Sequence, residues 1–393
     1  MYIVAAARTP IGRFGGSFKA WGPAELAAPV LQAVLQRARV SGSALDLVIL
    51  GNVLRAGRGQ LVARQAAFRA GIPASVDALS VDMVCSSGMM SIITAASHIR
   101  AGDAHVILCG GTECMSSTGF YLSGKARWGY KFLPGGAEPL TDVLHGDGLS
   151  DPLTGEAMGE QAERLAAEAG VSRINLDGIA LASHQRADEA TRSGRFADET
   201  VPLTLQGRKG THEITQDEGI RPDTSLEGLA ALRPVFAKGG KLTAGNSSQI
   251  SDGAAAVLLV SGEAAGAHGL TPVARLVSGA WASGEPWRFL EVPVAASRRA
   301  LQQAGLSTVD VDLFENNEAF ALSSFLFHKE LGVSYDDLNV HGGAIALGHP
   351  IGCSGARIVV SLVSALKQRD QQLGLAAICH GMGGGTAAVI ERV

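Results

Sequence analysis

The sequence lacks a hydrophobic run long enough to cross a bilayer, and its apolar amino-terminal stretch is too short for the core of a secretory signal. We therefore expect a cytoplasmic protein without membrane contact. Charge is also sparse, since 18% of the 393 residues are charged and the net charge is −4. This balance offers no general attraction for nucleic acid, so a phosphate-bearing ligand needs a local basic patch.

Cysteine is scarce, and proline is far less frequent than glycine. Fourteen prolines against 50 glycines argue against a disordered or collagen-like chain. With 46% hydrophobic residues, the chain can bury a large core divided into two or three units. The five cysteines include no CxxC pair, which fits reduced thiols better than disulfides or a zinc site, so we expect no metal. They are Cys85, Cys109, Cys114, Cys353 and Cys379.

Two parts of the chain repeat the same landmarks in the same order. Asp46 and Asp312 each precede an apolar strand that ends near an asparagine, and Cys85 and Cys353 follow 39 and 41 residues later. Each cysteine precedes an apolar helical stretch, and the strands HVILCGG and LAAICHG come next in the two parts. Chance similarity is a weaker explanation because several landmarks keep their spacing. A repeat of this length indicates a duplicated domain rather than a solenoid.

Strands that alternate with helices and are apolar throughout are typical of mostly parallel sheets covered by helices on both faces. The sequence therefore predicts an α/β fold with two related halves. The stretch between Glu113 and about Leu242 has no counterpart, is richer in charge, and shows one clear helix, EAMGEQAERLAAEAG. We interpret it as a substrate-covering insertion. The predicted units are residues 1–116 with 246–269, the insertion 117–245, and residues 270–393.

Cys85 lies where an apolar, strand-like segment meets a long and nearly uncharged helical stretch. Free N–H groups and the dipole at a helix start stabilise a thiolate, so this position predicts a lowered thiol pKa and a nucleophile. For a cysteine considered alone, packing in the core is an equally good explanation.

His349 lies in a glycine-rich loop that leads into another helix. A lone histidine is more often structural or solvated, but the repeat makes this loop the equivalent of the Cys85 loop. Both loops should therefore converge near the centre of the protein. Cys353 occupies the position equivalent to Cys85, and we interpret it as a packing residue.

Two further segments carry groups suited to acyl transfer. The polar cluster ENNEAF at 315–320 follows an apolar strand, where its asparagines either contribute to a site or cap a helix. Cys379 ends a strand, and the glycines after it leave backbone N–H groups free to bind an oxyanion, unless they form only a turn. A thiol, an imidazole, a second thiol and amide donors together form an acyl-transfer set.

The order Cys85, Asn317, His349, Cys379 resembles the thiolase family. The resemblance covers nearly the whole chain through VCSSGM, AGNSSQISDGAAAVLL, NEAFA, GGAIALGHPIGCSGAR and CHGMGGG, of which GHPIGCSGAR with NEAFA is highly specific. It implies a coenzyme-A-dependent acyltransferase with a thiolase-like duplicated αβαβα five-layer fold and an inserted loop domain. Members are usually homotetramers or homodimers.

The resemblance also implies roles for single residues. Cys85 matches the acylated nucleophile, His349 matches its base, and Cys379 matches the acid/base at the carbon nucleophile. Asn317 matches the residue that holds a water, which forms one oxyanion hole with His349. The backbone N–H groups of Cys85 and Gly381 match the second hole.

Coenzyme A and acetyl-CoA are the implied ligands, bound as substrates, with no permanently bound cofactor. Ser248 and Arg221 also have simpler explanations, as a loop residue and a solvated cation. The implied set suits a pantetheine tunnel with a cation at its mouth. Its members are Ser248, Met158, Arg221, Phe236, Ala244 and Phe320.

The chain departs from the family pattern at two places. Ala157 stands where acetoacetyl-CoA-forming members commonly carry a histidine, and CHGMGGG permutes the usual CxGGGxG while keeping Gly381. The segments GNVLRAG and PAELAA nevertheless favour an acetyl-CoA C-acetyltransferase of fatty acid metabolism, which condenses two acetyl-CoA reversibly or cleaves 3-ketoacyl-CoA.

Three alternative functions fit parts of the same sequence pattern. The main one is a broader-chain degradative 3-ketoacyl-CoA thiolase. A 3-ketoacyl synthase is disfavoured because it lacks a second catalytic cysteine. A non-enzymatic, thiolase-like lipid carrier is disfavoured because Cys85, His349 and Cys379 are all present.

Overall fold

Strands from the two ends of the chain form the central framework. The computed structural model describes residues 1–130, 138–207 and 210–393. In these ranges the strands are β1 (Tyr2–Arg8), β2 (Gly12–Arg13), β3 (Leu47–Gly51), β4 (Asp77–Val81), β5 (Val106–Cys114), β6 (Phe120–Tyr121), β7 (Thr141–Asp142), β8 (Leu203–Gly207), β9 (Gly210–Ile214), β10 (Ser251–Val260), β11 (Ala274–Ser283), β12 (Leu313–Asn316), β13 (Leu373–His380) and β14 (Gly384–Arg392).

Helices alternate with these strands in both halves. They are α1 (Pro23–Ala38), α2 (Val62–Arg69), α3 (Ser87–Ala101), α4 (Met158–Glu168), α5 (Arg173–Arg192), α6 (Leu226–Ala230), α7 (Gly262–Ala267), α8 (Val292–Ala304), α9 (Ala321–Leu331), α10 (Ala344–Leu347) and α11 (Ile351–Gln368).

The main sheet runs β12-β13-β14-β11-β1-β10-β5-β3-β4, with β2 attached to β10. The two halves join where β1 meets β11, with Tyr2 opposite Arg275 and Ile3 opposite Ala274. Each half contains strands in equivalent positions, because β1, β3, β5 and β10 correspond to β11, β12, β13 and β14 of the repeat. The helices α3 and α11 follow the two equivalent cysteine positions.

The expectation of mostly parallel sheets is wrong. Among the described strands, β3 pairs in parallel with β4 and β5, and β12 pairs in parallel with β13. The pairs β1–β10, β1–β11, β2–β10, β5–β10, β11–β14 and β13–β14 are antiparallel. An apolar pattern reports burial of both strand faces, and both faces are buried here whichever way the neighbouring strand runs.

Five layers account for this burial. The helices α1 and α2 cover one face of the first half, while α3 and α11 pack against each other between the halves. The helices α8 and α9 cover the outer face of the second half. Neighbouring residues of β5 pack against different helix layers. Leu108 packs towards α1, whereas Ile107 packs towards α3 and α11. The fold is therefore the duplicated αβαβα architecture.

Glycines allow the two central helices to approach closely. A Cβ on Gly88 of α3 would lie 2.8 Å from the backbone nitrogen of Ala356, and a Cβ on Gly355 of α11 would overlap the backbone nitrogen of Met89. Both glycines come from the repeated Cys-Ser segments. The close crossing brings the beginnings of α3 and α11, and the loops before them, together.

The insertion contains more regular structure than the sequence indicated. Its predicted helix corresponds to α4, but the 20-residue α5 was not predicted. The sequence of α5 contains many charged residues and an internal Gly178, so the apolar face of this helix is hard to recognise. The boundaries 117 and 245 stay a prediction, and residues 131–137 and 208–209 of this unit lie outside the described residues. None of the described helices combines the length and the apolar content of a bilayer-spanning segment.

Candidate active site

A cavity of about 610 Å³ brings together residues from both halves and from the insertion. Cys85, His349, Cys379 and Gly381 line it, as do all six residues predicted to contact coenzyme A. Asn317 is the one predicted site residue that is not among the lining residues. The six are Met158, Arg221, Phe236, Ala244, Ser248 and Phe320.

Cys85 lies in a tight turn between β4 and α3. Val84 adopts a φ of +48°, in the left-handed region that a β-branched residue rarely occupies. The hydroxyl of Ser87 holds the turn by accepting from the backbone nitrogen of Met83 at 2.8 Å and donating to the carbonyl of Val84 at 2.6 Å. The turn presents the thiol at the cavity, immediately before the first turn of α3.

Burial raises the pKa of the Cys85 thiol to about 12, while backbone hydrogen bonds from Gly381 and from Cys85 itself oppose the rise. The expectation that the helix start lowers this pKa is therefore wrong. Loss of hydration destabilises the thiolate more than hydrogen bonds from the nearby N–H groups stabilise it. The thiol consequently needs a neighbouring base. The two amides that face the sulfur belong to the residues expected to form an oxyanion hole.

His349 is held by the backbone on one side and by Ser354 on the other. Its backbone nitrogen donates to the carbonyl of Gln249 at 2.9 Å and to the hydroxyl of Ser251 at 3.3 Å. Gly348, directly before it, has a φ of +108°, and a Cβ there would overlap the Ser251 hydroxyl. This loop therefore requires glycine before the histidine.

The imidazole of His349 has one occupied and one free nitrogen. Nδ1 lies 2.6 Å from the Ser354 hydroxyl, which donates to the carbonyl of Pro350 at 3.0 Å. Because this hydroxyl already donates, it accepts from Nδ1–H, which leaves Nε2 unprotonated. Nε2 has no partner among the described residues. Burial, followed by the charge of Arg357, lowers the pKa of His349 to about 3, so the ring is neutral and can accept a proton.

Asn317 is 1% exposed and lies behind the imidazole. Its Oδ1 accepts from Nη2 of Arg357 at 3.5 Å, while its Nδ2 lies 3.4 Å from Nδ1 of His349 without a hydrogen bond, because both nitrogens carry hydrogen. Arg357 also contacts Glu315 through Nη1, 3.3 Å from Oε2, with both side chains buried. The asparagine thus belongs to a buried polar network beside His349. The alternative of an asparagine cap does not apply, because the N-cap of α9 is Phe320.

Cys379 is the next-to-last residue of β13 and is 1% exposed. Burial raises the pKa of its thiol well above the ordinary value, and the neighbouring Cys85 adds to the effect. Both cavity thiols are therefore protonated near neutral pH.

The permuted glycine segment after Cys379 has a steric explanation. A Cβ on Gly384 would overlap the ring of His380, its cross-strand neighbour. Gly384 therefore accompanies His380. Met382 adopts a φ of +66°, where glycine is usual in the family pattern, and its side chain is 39% exposed. The turn keeps its shape and Gly381 still lines the cavity.

The residues predicted to contact coenzyme A form an apolar channel with a cation at one side. Phe236 and Phe320 pack edge to face with ring centroids 5.9 Å apart, and a Cβ on Gly159, beside Met158, would overlap the Phe236 ring. The side chain of Arg221 is exposed and forms no ion pair within the described ranges. Its backbone nitrogen donates to Nδ1 of His184 at 3.2 Å. An aromatic channel with an exposed arginine suits an extended ligand with a phosphate end.

Several residues of the site were not predicted from the sequence. Ser354 and Arg357 could have been found, because they lie in the same motif as His349, five and eight residues later. His145 and Arg13 also line the cavity, but no motif distinguishes them. Within the described parts of the chain, no three His, Cys, Asp or Glu side chains cluster closely enough to hold a metal ion.

Comparisons with known proteins point to one family along nearly the whole chain. Residues 1–263 match the family described as "Thiolase, N-terminal domain", and residues 270–392 match "Thiolase, C-terminal domain". The acetyl-CoA acetyltransferase of Synechocystis sp. is 60% identical over 100% of this chain and 99% of its own length. That of Escherichia coli is 46% identical over 100% of this chain and 98% of its own.

Solved structures share the fold. The crystal structure of the Bacillus anthracis acetyl-CoA acetyltransferase superposes with a TM-score of 0.96 at 41% identity, covering 100% of this chain and 98% of that one. A thiolase from Ascaris suum, in complex with coenzyme A, superposes with a TM-score of 0.93 at 38% identity, covering 100% and 99%.

Proposed function

The chain belongs to the thiolase family, and from this premise we propose how it works as an acetyl-CoA C-acetyltransferase. The observation that carries the mechanism is the convergence of two thiols and a neutral imidazole in one cavity. The reaction is the reversible Claisen condensation of two acetyl-CoA molecules, or in reverse the thiolysis of a 3-ketoacyl-CoA, through an acyl-cysteine.

Acylation begins at Cys85. Nε2 of His349 takes the thiol proton as the sulfur attacks the thioester carbonyl, because the raised thiol pKa makes attack without a base inefficient. The carbonyl π electrons move to oxygen, and the tetrahedral species then collapses to acetyl-Cys85. The coenzyme A sulfur leaves with the bonding electrons and receives the proton from His349. In this order the imidazole is first a base and then an acid.

The oxyanion that forms in this step needs positioned donors. The backbone N–H groups of Cys85 and Gly381 are supported for this role because both face the Cys85 sulfur. We assign the second hole to His349 with a water held by Asn317, as in the family pattern. The buried position of Asn317 beside the imidazole supports this assignment.

The second half-reaction needs a base at the α-carbon of the second acetyl-CoA. Cys379 is assigned this role because it is the other thiol lining the cavity. Its thiol gives its proton to Nε2 of His349, and the thiolate formed in this way removes an α-proton. The resulting carbanion attacks the acetyl carbonyl on Cys85. A carbon–carbon bond forms, the Cys85–acyl bond breaks, and the sulfur of Cys85 recovers the proton held by His349. Thiolysis follows the same steps in reverse.

Coenzyme A is proposed to lie along the channel formed by Met158, Phe236 and Phe320, with Ser248 and Ala244 beside the pantetheine. Arg221 would face a phosphate group, which its exposed guanidinium supports. Acyl-CoA thioesters are thus the small-molecule partners, and no permanently bound cofactor is part of the proposal.

A homotetramer or homodimer in the cytoplasm completes the proposal. All five cysteines are free, as a reducing compartment requires. Exposed apolar side chains of the insertion favour self-association, since large apolar groups are costly to expose to water. They are Phe120, Tyr121, Leu122, Trp128 and Leu140.

The test is to trap the acyl-enzyme with acetyl-CoA and locate the acetyl group by mass spectrometry of peptides. We expect it on Cys85 alone. His349→Ala should slow formation of this intermediate by roughly 10²- to 10⁴-fold, the usual contribution of a general base. Label on Cys379 or Cys353 would overturn the assignment of the nucleophile. Wild-type acylation of His349→Ala would remove this residue from the mechanism.

A further inference from the structure

The wall that the insertion contributes to the cavity is almost entirely apolar. Of the described residues between 117 and 245 that line the cavity, only His145 and Arg221 have polar side chains. Arg221 suits a phosphate group. His145 has no role in the acyl-transfer steps above, and the residue is exposed. A hydrogen-bonding group on an otherwise apolar wall is a candidate for ligand recognition.

His145 is held by hydrogen bonds within its own segment. It belongs to the helical turn Leu144–Leu149, whose first backbone nitrogen donates to Oδ1 of Asp142 at 2.9 Å. The hydroxyl of Ser150 lies 3.1 Å from Nδ1 of His145 and 3.5 Å from Nε2. Because the hydroxyl has one proton and Nδ1 is the nearer nitrogen, Ser150 bonds Nδ1 and leaves Nε2 available to a ligand.

The same segment is bridged to the residue before Met158. Ser150 pairs with Ala157 through an isolated backbone bridge. Asp151 accepts from the backbone nitrogen of Leu153 at 2.8 Å and from Nε2 of Gln161, in α4, at 2.7 Å. These contacts fix the position of His145 relative to the start of α4. Ala157 lines the cavity with a methyl group, so the polar contribution of this part of the wall comes from His145.

We propose that His145 is a specificity-determining residue whose Nε2–H donates a hydrogen bond to a carbonyl oxygen of the bound acyl-CoA, with Ser150 as its positioning residue. The acceptor is either an amide carbonyl of the pantetheine or the 3-oxo group of a 3-ketoacyl chain. Both have the same chemistry, and the ligands that carry them differ. The inference rests on the proposed function, because the ligand is a coenzyme A thioester.

The experiment compares His145→Ala, His145→Gln and the control His268→Ala, whose histidine is exposed beside α7 in the first half. For each purified enzyme, KM and kcat are measured for acetoacetyl-CoA and acetyl-CoA, and the Kd of free coenzyme A is measured by calorimetry. His145→Ala should raise KM by about 3- to 10-fold with little change in kcat, as expected for one hydrogen bond. His145→Gln, which keeps a donor, should recover part of the affinity.

The set of ligands identifies the acceptor. If His145→Ala weakens binding of acetyl-CoA, acetoacetyl-CoA and free coenzyme A equally, the acceptor is a pantetheine carbonyl. If only the KM for acetoacetyl-CoA rises, the acceptor is the 3-oxo group. If the two KM values and the Kd of His145→Ala all match those of His268→Ala, the inference is overturned. If the wild-type enzyme turns over neither thioester, the proposed function fails instead.

Discussion

The starts of α3 and α11 occupy equivalent positions in the two halves, yet only one of them presents a reactive group. Cys85 lines the cavity, whereas Cys353 is fully buried between the halves. Burial raises the pKa of both thiols to about 12. Intrinsic acidity therefore does not distinguish the two cysteines. The difference lies in access to the cavity and in the groups that the opposite half places there.

The second half supplies those groups. Its loop before α11 carries His349, and its strand β13 carries Cys379 near the end, while the first half contributes the nucleophile from the turn before α3. Duplication thus produced two similar frameworks whose loops have separate tasks. The close approach of Gly88 and Gly355 keeps these loops within reach of each other.

The largest contrast is expected between Cys85→Ser and Cys353→Ser. The first should reduce kcat by a factor on the order of 10⁴ to 10⁶, because a serine hydroxyl ionises far less readily than a thiol and removal of a nucleophile has effects of this size. The second should lower the free energy of unfolding by about 1–3 kcal/mol through a buried hydroxyl, with kcat per folded molecule retained. Steady-state kinetics and urea unfolding measure the two effects, and comparable losses of kcat would contradict the division of tasks.

Cys379→Ala should separate the two half-reactions. Acetylation of Cys85 should proceed, because His349 is untouched, while exchange of the acetyl-CoA α-protons with deuterium from the solvent should be lost. Mass spectrometry follows the acetyl group and NMR follows the exchange. Wild-type exchange in this variant would assign the second base to another residue, and failed acylation would place Cys379 in the first step.

The smallest effect is expected in the insertion, which only the first half carries. Ala157 leaves room where the family often has a histidine, so the enzyme should cleave acetoacetyl-CoA and also a somewhat longer 3-ketoacyl-CoA. Each added methylene should change discrimination by only about 1–3 kcal/mol. Ala157→His should narrow this range, as measured by kcat/KM across a chain-length series. Strict specificity of the unaltered enzyme for acetoacetyl-CoA would show that another residue closes the pocket.

Landmarks that repeat in the sequence predicted the duplication and the meeting of the Cys85 and His349 loops correctly. Strand direction was predicted wrongly. The continuous apolar sequence of β10 and β14 reflects burial of both faces, and it does not indicate whether the neighbouring strands run parallel or antiparallel. The roles of Ser354 and Arg357 depend on distances across a helix and a loop, and that of His145 depends on how the insertion folds over the cavity. These contacts join residues that are far apart in the sequence or lie in segments without a distinctive local pattern, so the sequence alone does not reveal them.

The place of β1 in the sheet has a consequence for how the protein folds during its synthesis. Tyr2 pairs with Val260 and also with Arg275, so the first strand made lies between two strands made much later. At ribosomal rates of about 5–20 residues per second, β1 waits on the order of ten to fifty seconds for β10. Over that interval the first half has an unpaired apolar strand and an incomplete sheet. A nascent chain shorter than about 260 residues should therefore depend on chaperones.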